Sequence, residues 1–245
     1  MIQKISPFNI IVTAIFTALV CVVTIVFSIF IPATKGIFNL GESMVYLAAL
    51  LFGPVVGAFA GGVGSMLADI YVGVWYYAPA TLIIKACEGY VVGRLKDANP
   101  RFVTKIYYRF FTILLGVIIG LLLIGVGILY GQTEFSIFPS YSLIIPAEFW
   151  LVLGVIAAFS IATVGLIAKP ETGWKIFSVI VGGLVMVMGY FIYQMFFIGW
   201  LFGIPVVAIA EIPVNIGQMI TGAIIALPIA RIIQHVFPYI QPETR

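Results

Sequence analysis

Charged and metal-binding side chains are scarce in this sequence of 245 residues. Asp, Glu, Lys and Arg together make up 9% of it, and it contains two cysteines and a single histidine, His235. Cys21 and Cys87 lie in apolar segments without a CxxC spacing, so neither a disulfide framework nor a zinc site is predicted. GxSxG, HExxH and Walker A motifs are also absent. We therefore expect a protein that is not an enzyme, that cannot hydrolyse ATP itself, and that carries no cofactor or metal.

Hydrophobic residues, in contrast, make up 63% of the chain, and its mean hydropathy is +1.21. Soluble domains usually contain about 45–50% apolar residues, so this composition points to a bilayer. The twelve Lys and Arg residues are too dispersed for a surface that follows nucleic-acid phosphates, so no nucleic acid is expected as a partner. Length and composition together predict one membrane domain over residues 1–245, with room for roughly six to eight spanning helices of about 20 residues each.

Apolar stretches divide the chain into eight predicted helices. The second and third are short for full spans, and Gly53 and Pro54 separate them. The first stretch has no small-residue cleavage site after it, which indicates a retained helix rather than a removed signal peptide. The eight stretches cover approximately residues 10–31, 43–56, 57–75, 79–95, 112–130, 145–168, 176–199 and 205–234.

The positions of Lys and Arg predict the orientation, because short cytoplasmic loops hold most of these residues. With Lys4 inside, eight passes place the five basic residues between positions 94 and 109 in one inner loop and leave only Lys35 outside. Merging the second and third helices would put that loop and the N-terminus on opposite faces. We therefore expect a multi-pass protein of a prokaryotic cell membrane with both termini in the cytoplasm.

Ionisable residues within the apolar stretches mark candidate functional sites. They are Asp69, Lys85, Glu88, Glu148 and Glu211, and each costs about 2.5–3.5 kcal/mol to place in a bilayer. Lys85 and Glu88 are three residues apart, close enough to pair on one helix face. The pair has two structural interpretations beside the functional one: a salt bridge within the bundle, or an interfacial Glu88.

Amide and carboxyl side chains form a stripe on the last predicted helix. Glu211, Asn215 and Gln218 stand at positions i, i+4 and i+7, which share one helical face. Tyr190 and Gln194 similarly share a face of the seventh helix. These polar faces are typical either of a ligand site or of hydrogen bonds between helices, and the sequence leaves both interpretations open.

The first outer loop and two small-residue faces complete the set of candidate features. Asn39, Gly41 and Glu42 bring an amide, a flexible glycine and an acid to the mouth of the bundle, where they would either cover a pocket or cap the next helix. Ala14 and Ala18 form a small-xxx-small face on the first helix. The third helix is also rich in Gly and Ala, which predicts close packing between helices.

Short segments along the chain occur in a specific order and spacing. They are residues 38–42 (FNLGE), 51–57 (LFGPVVG), 64–69 (GSMLAD), 78–85 (APATLIIK), 88–89 (EG), 189–193 (GYFIY) and 211–218 (EIPVNIGQ). In this arrangement the chain resembles the substrate-binding S components of energy-coupling factor (ECF) transporters, most closely the group with the riboflavin and hydroxymethylpyrimidine S components. The resemblance covers about residues 8–100 and 176–234.

The resemblance implies an all-α fold with a six-helix core, here with an additional transmembrane hairpin at about residues 110–170. It implies capture of a riboflavin- or pyrimidine-like vitamin from outside and delivery through a membrane coupling subunit and two cytoplasmic ATPases. The AxxxA face of the family corresponds to Ala14 and Ala18, which would then dock the coupling subunit. Gln194 stands where similar proteins often have an acid.

The family pocket maps onto Asn39, Gly41, Glu42, Lys85 and Asn215. Together with the polar residues described above, the predicted substrate site comprises Asn39, Gly41, Glu42, Asp69, Lys85, Tyr190, Gln194, Glu211, Asn215 and Gln218. The main alternative is a stand-alone secondary transporter coupled to protons or sodium, with Asp69 and Glu211 as a relay. A membrane enzyme of unknown type is a third interpretation, which the missing motifs disfavour.

Overall fold

The computed structural model describes residues 7–32, 34–96, 105–130, 133–138, 141–167 and 170–237, and these ranges are mainly helical. Lys4, on which the predicted orientation depends, lies outside them. The α-helices are α1 (Pro7–Val26), α2 (Glu42–Phe52), α3 (Pro54–Tyr71), α4 (Ala78–Lys96), α5 (Lys105–Tyr130), α6 (Ala147–Ile167), α7 (Pro170–Tyr193), α8 (Gly199–Phe202) and α9 (Ala208–Val236). A π-helical turn (Gln194–Ile198) joins α7 to the short α8, so eight helical rods result.

Four of these rods are long and apolar enough to cross a membrane: Pro7–Val26, Pro54–Tyr71, Thr172–Phe202 and Ala208–Val236. Shorter apolar helices lie at Glu42–Phe52, Thr112–Gly125 and Ala147–Thr163. Large apolar side chains remain exposed along the outer helix faces, which suits contact with lipid rather than water. The prediction of an all-α integral membrane protein is therefore confirmed, and the passage of all eight rods through the bilayer stays a prediction.

Two β-hairpins replace what the sequence suggested were helix and loop. The first predicted helix is too long at its C-terminal end, because α1 stops at Val26 and the chain then forms β1 (Ser28–Ile31). β1 pairs antiparallel with β2 (Gly36–Asn39), and β3 (Thr133–Phe138) pairs with β4 (Tyr141–Ile145) between α5 and α6. Strands this short show little alternation of apolar and polar residues. The apolar run therefore continues past Val26, and the sequence gives no sign of the end of α1.

The separation of α2 from α3 is confirmed and has a backbone cause. Gly53 adopts a φ of +87°, a conformation that side chains disfavour, and Pro54 occupies the first turn of α3. Small residues then let α3 and α4 pack backbone to backbone. A Cβ atom added to Gly89 would lie 2.2 Å from the carbonyl oxygen of Gly57, so these helices touch at a distance that only glycine permits.

Helices α1, α2, α3, α4, α7 and α9 pack into one bundle, while α5 and α6 pack mainly against each other and reach the bundle through α7 and α9. Gly120 and Gly154 sit in the contact between α5 and α6, where a Cβ on Gly120 would lie 2.7 Å from the Gly154 carbonyl oxygen. This arrangement agrees with a separate hairpin beside a core. The division into a core and an added hairpin remains a prediction.

Loops predicted to lie outside meet at one end of the bundle. The Tyr76 hydroxyl, before α4, donates to the Lys35 carbonyl of the β1–β2 turn at 2.6 Å. The Trp75 and Phe202 rings join the α3–α4 loop to the end of α8 with centroids 5.4 Å apart. The β1–β2 hairpin also contacts α9, so the starts of α2, α4 and α9 surround it. This end, called here the hairpin end, holds the polar cavity.

Candidate functional site

A polar cavity lies beneath the β1–β2 hairpin, and the space between its walls, open solvent included, is about 320 Å³. Seven of the ten predicted substrate residues contribute to its wall. The lining comprises Gly36, Ile37, Asn39, Asp69, Val74, Tyr77, Thr81, Lys85, Tyr190, Glu211, Asn215 and Gln218.

The stripe on α9 faces this cavity, and a hydrogen-bonded chain ties it to the hairpin. The backbone N–H of Asn39 donates to Oε1 of Gln218 at 2.9 Å, and Nε2 of Gln218 donates to Oδ1 of Asn215 at 2.9 Å. Glu211 lies one turn earlier, against Gly36, where an added Cβ would be 3.3 Å from its Oε1. The helical spacing thus brings three polar groups to one wall, and the hairpin fixes two of them.

A second chain of hydrogen bonds connects the hairpin to α7. The Tyr77 hydroxyl donates to the Thr34 carbonyl at 2.7 Å, and Nε2 of Gln194 donates to the Tyr77 oxygen at 2.7 Å. Burial raises the pKa of the Tyr77 hydroxyl, and the Glu211 carboxylate raises it further, so the hydroxyl keeps the proton that it donates. Gln194 is therefore held behind Tyr77 rather than on the cavity wall.

Lys85 forms the only ion pairs among the described residues, and both lie inside the bundle. Its Nζ is 3.0 Å from Oε2 of Glu88 and also pairs with Oε2 of Glu42. The Tyr46 hydroxyl donates to the other oxygen of Glu88 at 3.0 Å. Glu88 is fully buried, so the interfacial interpretation of this residue is wrong. Glu42 sits behind Lys85 and does not line the cavity.

Asp69 belongs to another buried chain of hydrogen bonds. The Thr81 hydroxyl donates to Oδ2 of Asp69 at 2.5 Å, and the Tyr190 hydroxyl donates to the Thr81 oxygen at 3.0 Å. The ring of Tyr190 also lies 6.0 Å from Nζ of Lys85. Three helices, α3, α4 and α7, thus contribute one group each to this part of the wall.

Several buried polar atoms have no hydrogen-bond partner among the described residues. Near the cavity these are Oε2 of Glu211, Oε1 of Gln194 and Nδ2 of Asn215; deeper in the bundle they are Oγ1 of Thr24 and Oε1 of Glu42. Leaving such a group unpaired costs about 1–3 kcal/mol, so Glu211 and Asn215 give the cavity wall unused hydrogen-bonding capacity. The first three atoms belong to side chains that are at most 4% exposed.

Three predicted site residues lie away from the cavity wall. Gly41 precedes α2 as its N-cap residue, and its N–H donates to Oδ1 of Asn39 at 2.9 Å. A Cβ on Gly41 would lie 1.9 Å from Oγ1 of Thr24, so its small size serves packing against α1. Glu42 and Gln194 act behind Lys85 and Tyr77, as described above. None of these three residues lines the cavity.

Five cavity residues were missed from the sequence. Tyr77 and Thr81 precede Lys85 by eight and four positions, and this helical stripe could have identified both. Gly36, Ile37 and Val74 carry no polar side chain, so only the folded chain places them at the site.

Ala14 and Ala18 lie on the exposed side of α1. Val12, Phe16 and Val20 occupy the opposite, buried side of the same helix. The two alanines are therefore not buried against any other described helix. They form a shallow strip that a second helix can approach closely.

Comparison with known proteins places the chain in a family. Residues 4–160 match the sequence model of a family described as "ECF-type riboflavin transporter, S component". The chain is also similar to a Pyrococcus woesei protein described as "Uncharacterized protein in gap 3'region". The two are 38% identical over 141 residues, which cover 55% of this chain and 88% of that protein.

Proposed function

The chain belongs to the family of ECF-type riboflavin transporter S components, and from this premise we propose that it captures a riboflavin- or pyrimidine-like vitamin in the cavity beneath the β1–β2 hairpin. The observation that carries the proposal is the enclosure of polar side chains by apolar helices. Asp69, Lys85, Glu211, Asn215 and Gln218 are each at most 6% exposed, yet all line the same space. Placing so many polar groups inside a membrane bundle costs free energy, so such groups usually serve a function such as ligand binding.

Entry of the ligand takes place at the hairpin end. Among the described residues, the hydrogen bonds that hold the hairpin to the helices are chiefly those of Asn39 to Gln218, Thr34 to Tyr77 and Lys35 to Tyr76, so it can move with modest loss of stability. The cavity floor is closed by the ion-paired Lys85. Capture from the outer side therefore needs movement of the hairpin only, whereas release inward needs a larger rearrangement.

Delivery into the cell requires partners, because the chain has no nucleotide-binding loop. We assign this work to a membrane coupling subunit and two cytoplasmic ATPases, with docking at Ala14 and Ala18. The exposed alanines on α1 support this assignment, since small side chains allow close approach of a partner helix within lipid.

The experiment is uptake of candidate vitamins, with riboflavin first, by cells that express this chain with the coupling module. Ligand bound to the purified chain is identified by mass spectrometry in parallel. The proposal expects a bound heterocycle and uptake that stops when the ATPases are inactivated. If uptake continues without the ATPases but collapses with an uncoupler, the S-component assignment fails.

The last outcome would favour the second candidate function, a secondary transporter coupled to an ion. One observation supports it: four buried carboxyl groups, on Glu42, Asp69, Glu88 and Glu211, accompany a single buried amine on Lys85 among the described residues. An excess of buried acids is typical of proton-coupled carriers. Ligand-dependent alkalinisation outside vesicles that contain only this chain would establish it.

A further inference from the structure

The charged side chains beneath the cavity carry more negative than positive charge. Glu42 and Glu88 both pair with Lys85, and all three residues are at most 4% exposed. Two carboxylates and one ammonium leave one negative charge unbalanced inside the bundle. A buried group in this position normally changes its protonation state, because an unpaired buried charge is very costly. These three residues, called here the Lys85 cluster, therefore lack one positive charge.

The carboxyl groups of the Lys85 cluster are also one hydrogen-bond donor short. An ammonium group has three N–H donors, and two of those on Lys85 go to Oε2 of Glu42 and Oε2 of Glu88. The third goes to Sδ of Met186 at 2.7 Å. The Tyr46 hydroxyl donates to Oε1 of Glu88. Oε1 of Glu42 remains buried without a hydrogen-bond partner among the described residues.

The two carboxyl groups lie close enough together to share a proton. They contact the same ammonium nitrogen, and the carboxyl group of Glu42 is within hydrogen-bonding reach of that of Glu88. Two ionised carboxylates have no donor between them and repel each other, so a buried pair of this kind holds one proton. That proton supplies the missing positive charge and turns one acceptor oxygen into a donor.

The other titratable groups that face the cluster do not supply the missing charge. Tyr46 on α2 and Tyr190 on α7 carry hydroxyls that are neutral when protonated. Asp69 on α3 and Glu211 on α9 are acids, so ionisation of either one enlarges the excess of negative charge. The buried side of α1 contributes no titratable residue. Among the described residues, Lys85 is the only buried cation.

We infer that the Lys85 cluster is a proton-binding site, in which Glu42 and Glu88 share one proton and the cluster as a whole is uncharged. One carboxyl group pairs with Lys85 as an anion, and the other donates a hydrogen bond as a neutral acid. The folded chain holds this proton at neutral pH. The inference goes beyond the proposed function, because the proton is bound whether or not a ligand occupies the cavity.

An uncharged cluster gives the cavity a floor that suits an uncharged ring. Lys85 lines the cavity, and the proton leaves its charge fully balanced there. Flavin rings are uncharged at neutral pH, and a ring carbonyl is a stronger acceptor than the sulfur of Met186, to which the third N–H of Lys85 points. This consequence for the ligand rests on the proposed function, whereas the proton site itself does not.

Infrared spectroscopy of the full chain in detergent, without ligand, detects the proton through the C=O stretch of a protonated carboxyl group. Glu42→Gln and Glu88→Gln should each lose the absorption of one such group, because the remaining acid then pairs with Lys85 as an anion. The double variant should lose no more than either single variant, since the pair holds only one proton. Glu148→Gln, a change at an exposed acid of α6, is the control and should leave the absorption unchanged.

Two spectroscopic results would overturn the inference. No loss of absorption in any of the three variants would show that both carboxyl groups are ionised. Loss of two protonated groups in the double variant would show that each acid holds its own proton. A chain of unmodified sequence that shows no protonated carboxyl group at all would also refute the site, even if a variant fails to fold.

The dependence of stability on pH gives a second measurement of the same proton. Carboxyl groups of the unfolded chain are ionised above about pH 5, so the folded chain holds one proton more at this site. Stability from this proton is therefore lost as the pH rises. Between about pH 6 and 8, the folding equilibrium constant should fall by up to about tenfold more per pH unit in the unmodified chain than in Glu88→Gln. Parallel profiles would contradict a shared proton.

These outcomes are distinct from failure of the proposed function, because the measurements use no ligand. Riboflavin uptake that depends on the ATPases, combined with unchanged spectra in the Gln variants, would refute the proton site and leave the S-component function intact. Uptake that continues without the ATPases, combined with equal losses in the single and double variants, would do the reverse.

Discussion

The backbone N–H of Asn39 donates to Oε1 of Gln218 at 2.9 Å, which links the β1–β2 hairpin directly to the last helix. These residues are 179 positions apart, so the bond joins two elements that are distant in the sequence. Gln218 is 3% exposed. The oxygen of its amide holds the hairpin, and the nitrogen of the same amide donates to Asn215 in the cavity wall. Movement of the hairpin and occupation of the cavity are coupled through this residue.

Replacement of Gln218 by Met should loosen the hairpin without unfolding the bundle. Loss of one hydrogen bond of about 1 kcal/mol should increase hydrogen exchange at the Asn39 amide by roughly fivefold. Hydrogen–deuterium exchange with peptide-level mass spectrometry measures it. Gln234→Met, which removes an amide at the opposite end of α9, serves as the control and should leave Asn39 protected. Equal exchange in both variants would contradict the coupling.

Replacement of Lys85 by Met should destabilise the protein by about 3–5 kcal/mol, because two buried carboxylates lose their cation. Unfolding in mixed micelles with increasing denaturing detergent measures the loss. Lys96→Met on the same helix is the control, since Lys96 is only partly buried and its Nζ donates to the Leu50 carbonyl at 2.9 Å. Its cost should be about 1 kcal/mol.

A triple variant distinguishes structure from binding at the same position. Lys85→Met combined with Glu42→Gln and Glu88→Gln removes the charges together, and should recover most of the lost stability. Ligand binding should remain lost, since Lys85 lines the cavity. Recovery of binding in the triple variant would show that Lys85 serves the fold alone.

Replacement of Gly89 by Ala should separate α3 from α4. The added Cβ would lie 2.2 Å from the Gly57 carbonyl oxygen, so the helix backbones must move apart, at a cost of about 1–3 kcal/mol. Gly125→Ala is the matched control, because nothing lies within 4 Å of its added Cβ. That change should be neutral or slightly stabilising within α5. Thermal unfolding of both variants provides the comparison.

Replacement of Ala14 by Phe should reduce uptake and leave ligand affinity unchanged. The larger ring would hold a partner helix away from α1, while the cavity lies on other elements. Co-purification of the coupling subunit should fall together with uptake. Ile156→Phe, an exposed change on α6, should affect neither quantity. If the Ala14→Phe variant assembles normally with the coupling subunit, the proposal that this face of α1 docks the subunit is wrong.

Much of the site was accessible from the sequence because helical spacing is regular. Glu211, Asn215 and Gln218 recur at one face of a helix, and buried ionisable residues are rare enough to stand out. Val74 and Ile37 gave no such signal, because apolar wall residues resemble every other apolar residue in a membrane chain. The hairpin at Ser28–Ile31 was hidden for the same reason.

Composition and periodicity by themselves determined that this chain is a membrane helix bundle and which helix faces are polar, since both follow from local sequence. Only the tertiary structure decided that Glu42 pairs with Lys85, that Gln194 stands behind Tyr77, and that the Asn39 amide orients Gln218. These relationships depend on contacts between elements far apart in the chain. The direction of each hydrogen bond depends on which backbone group the fold brings to it, and no local pattern carries that information.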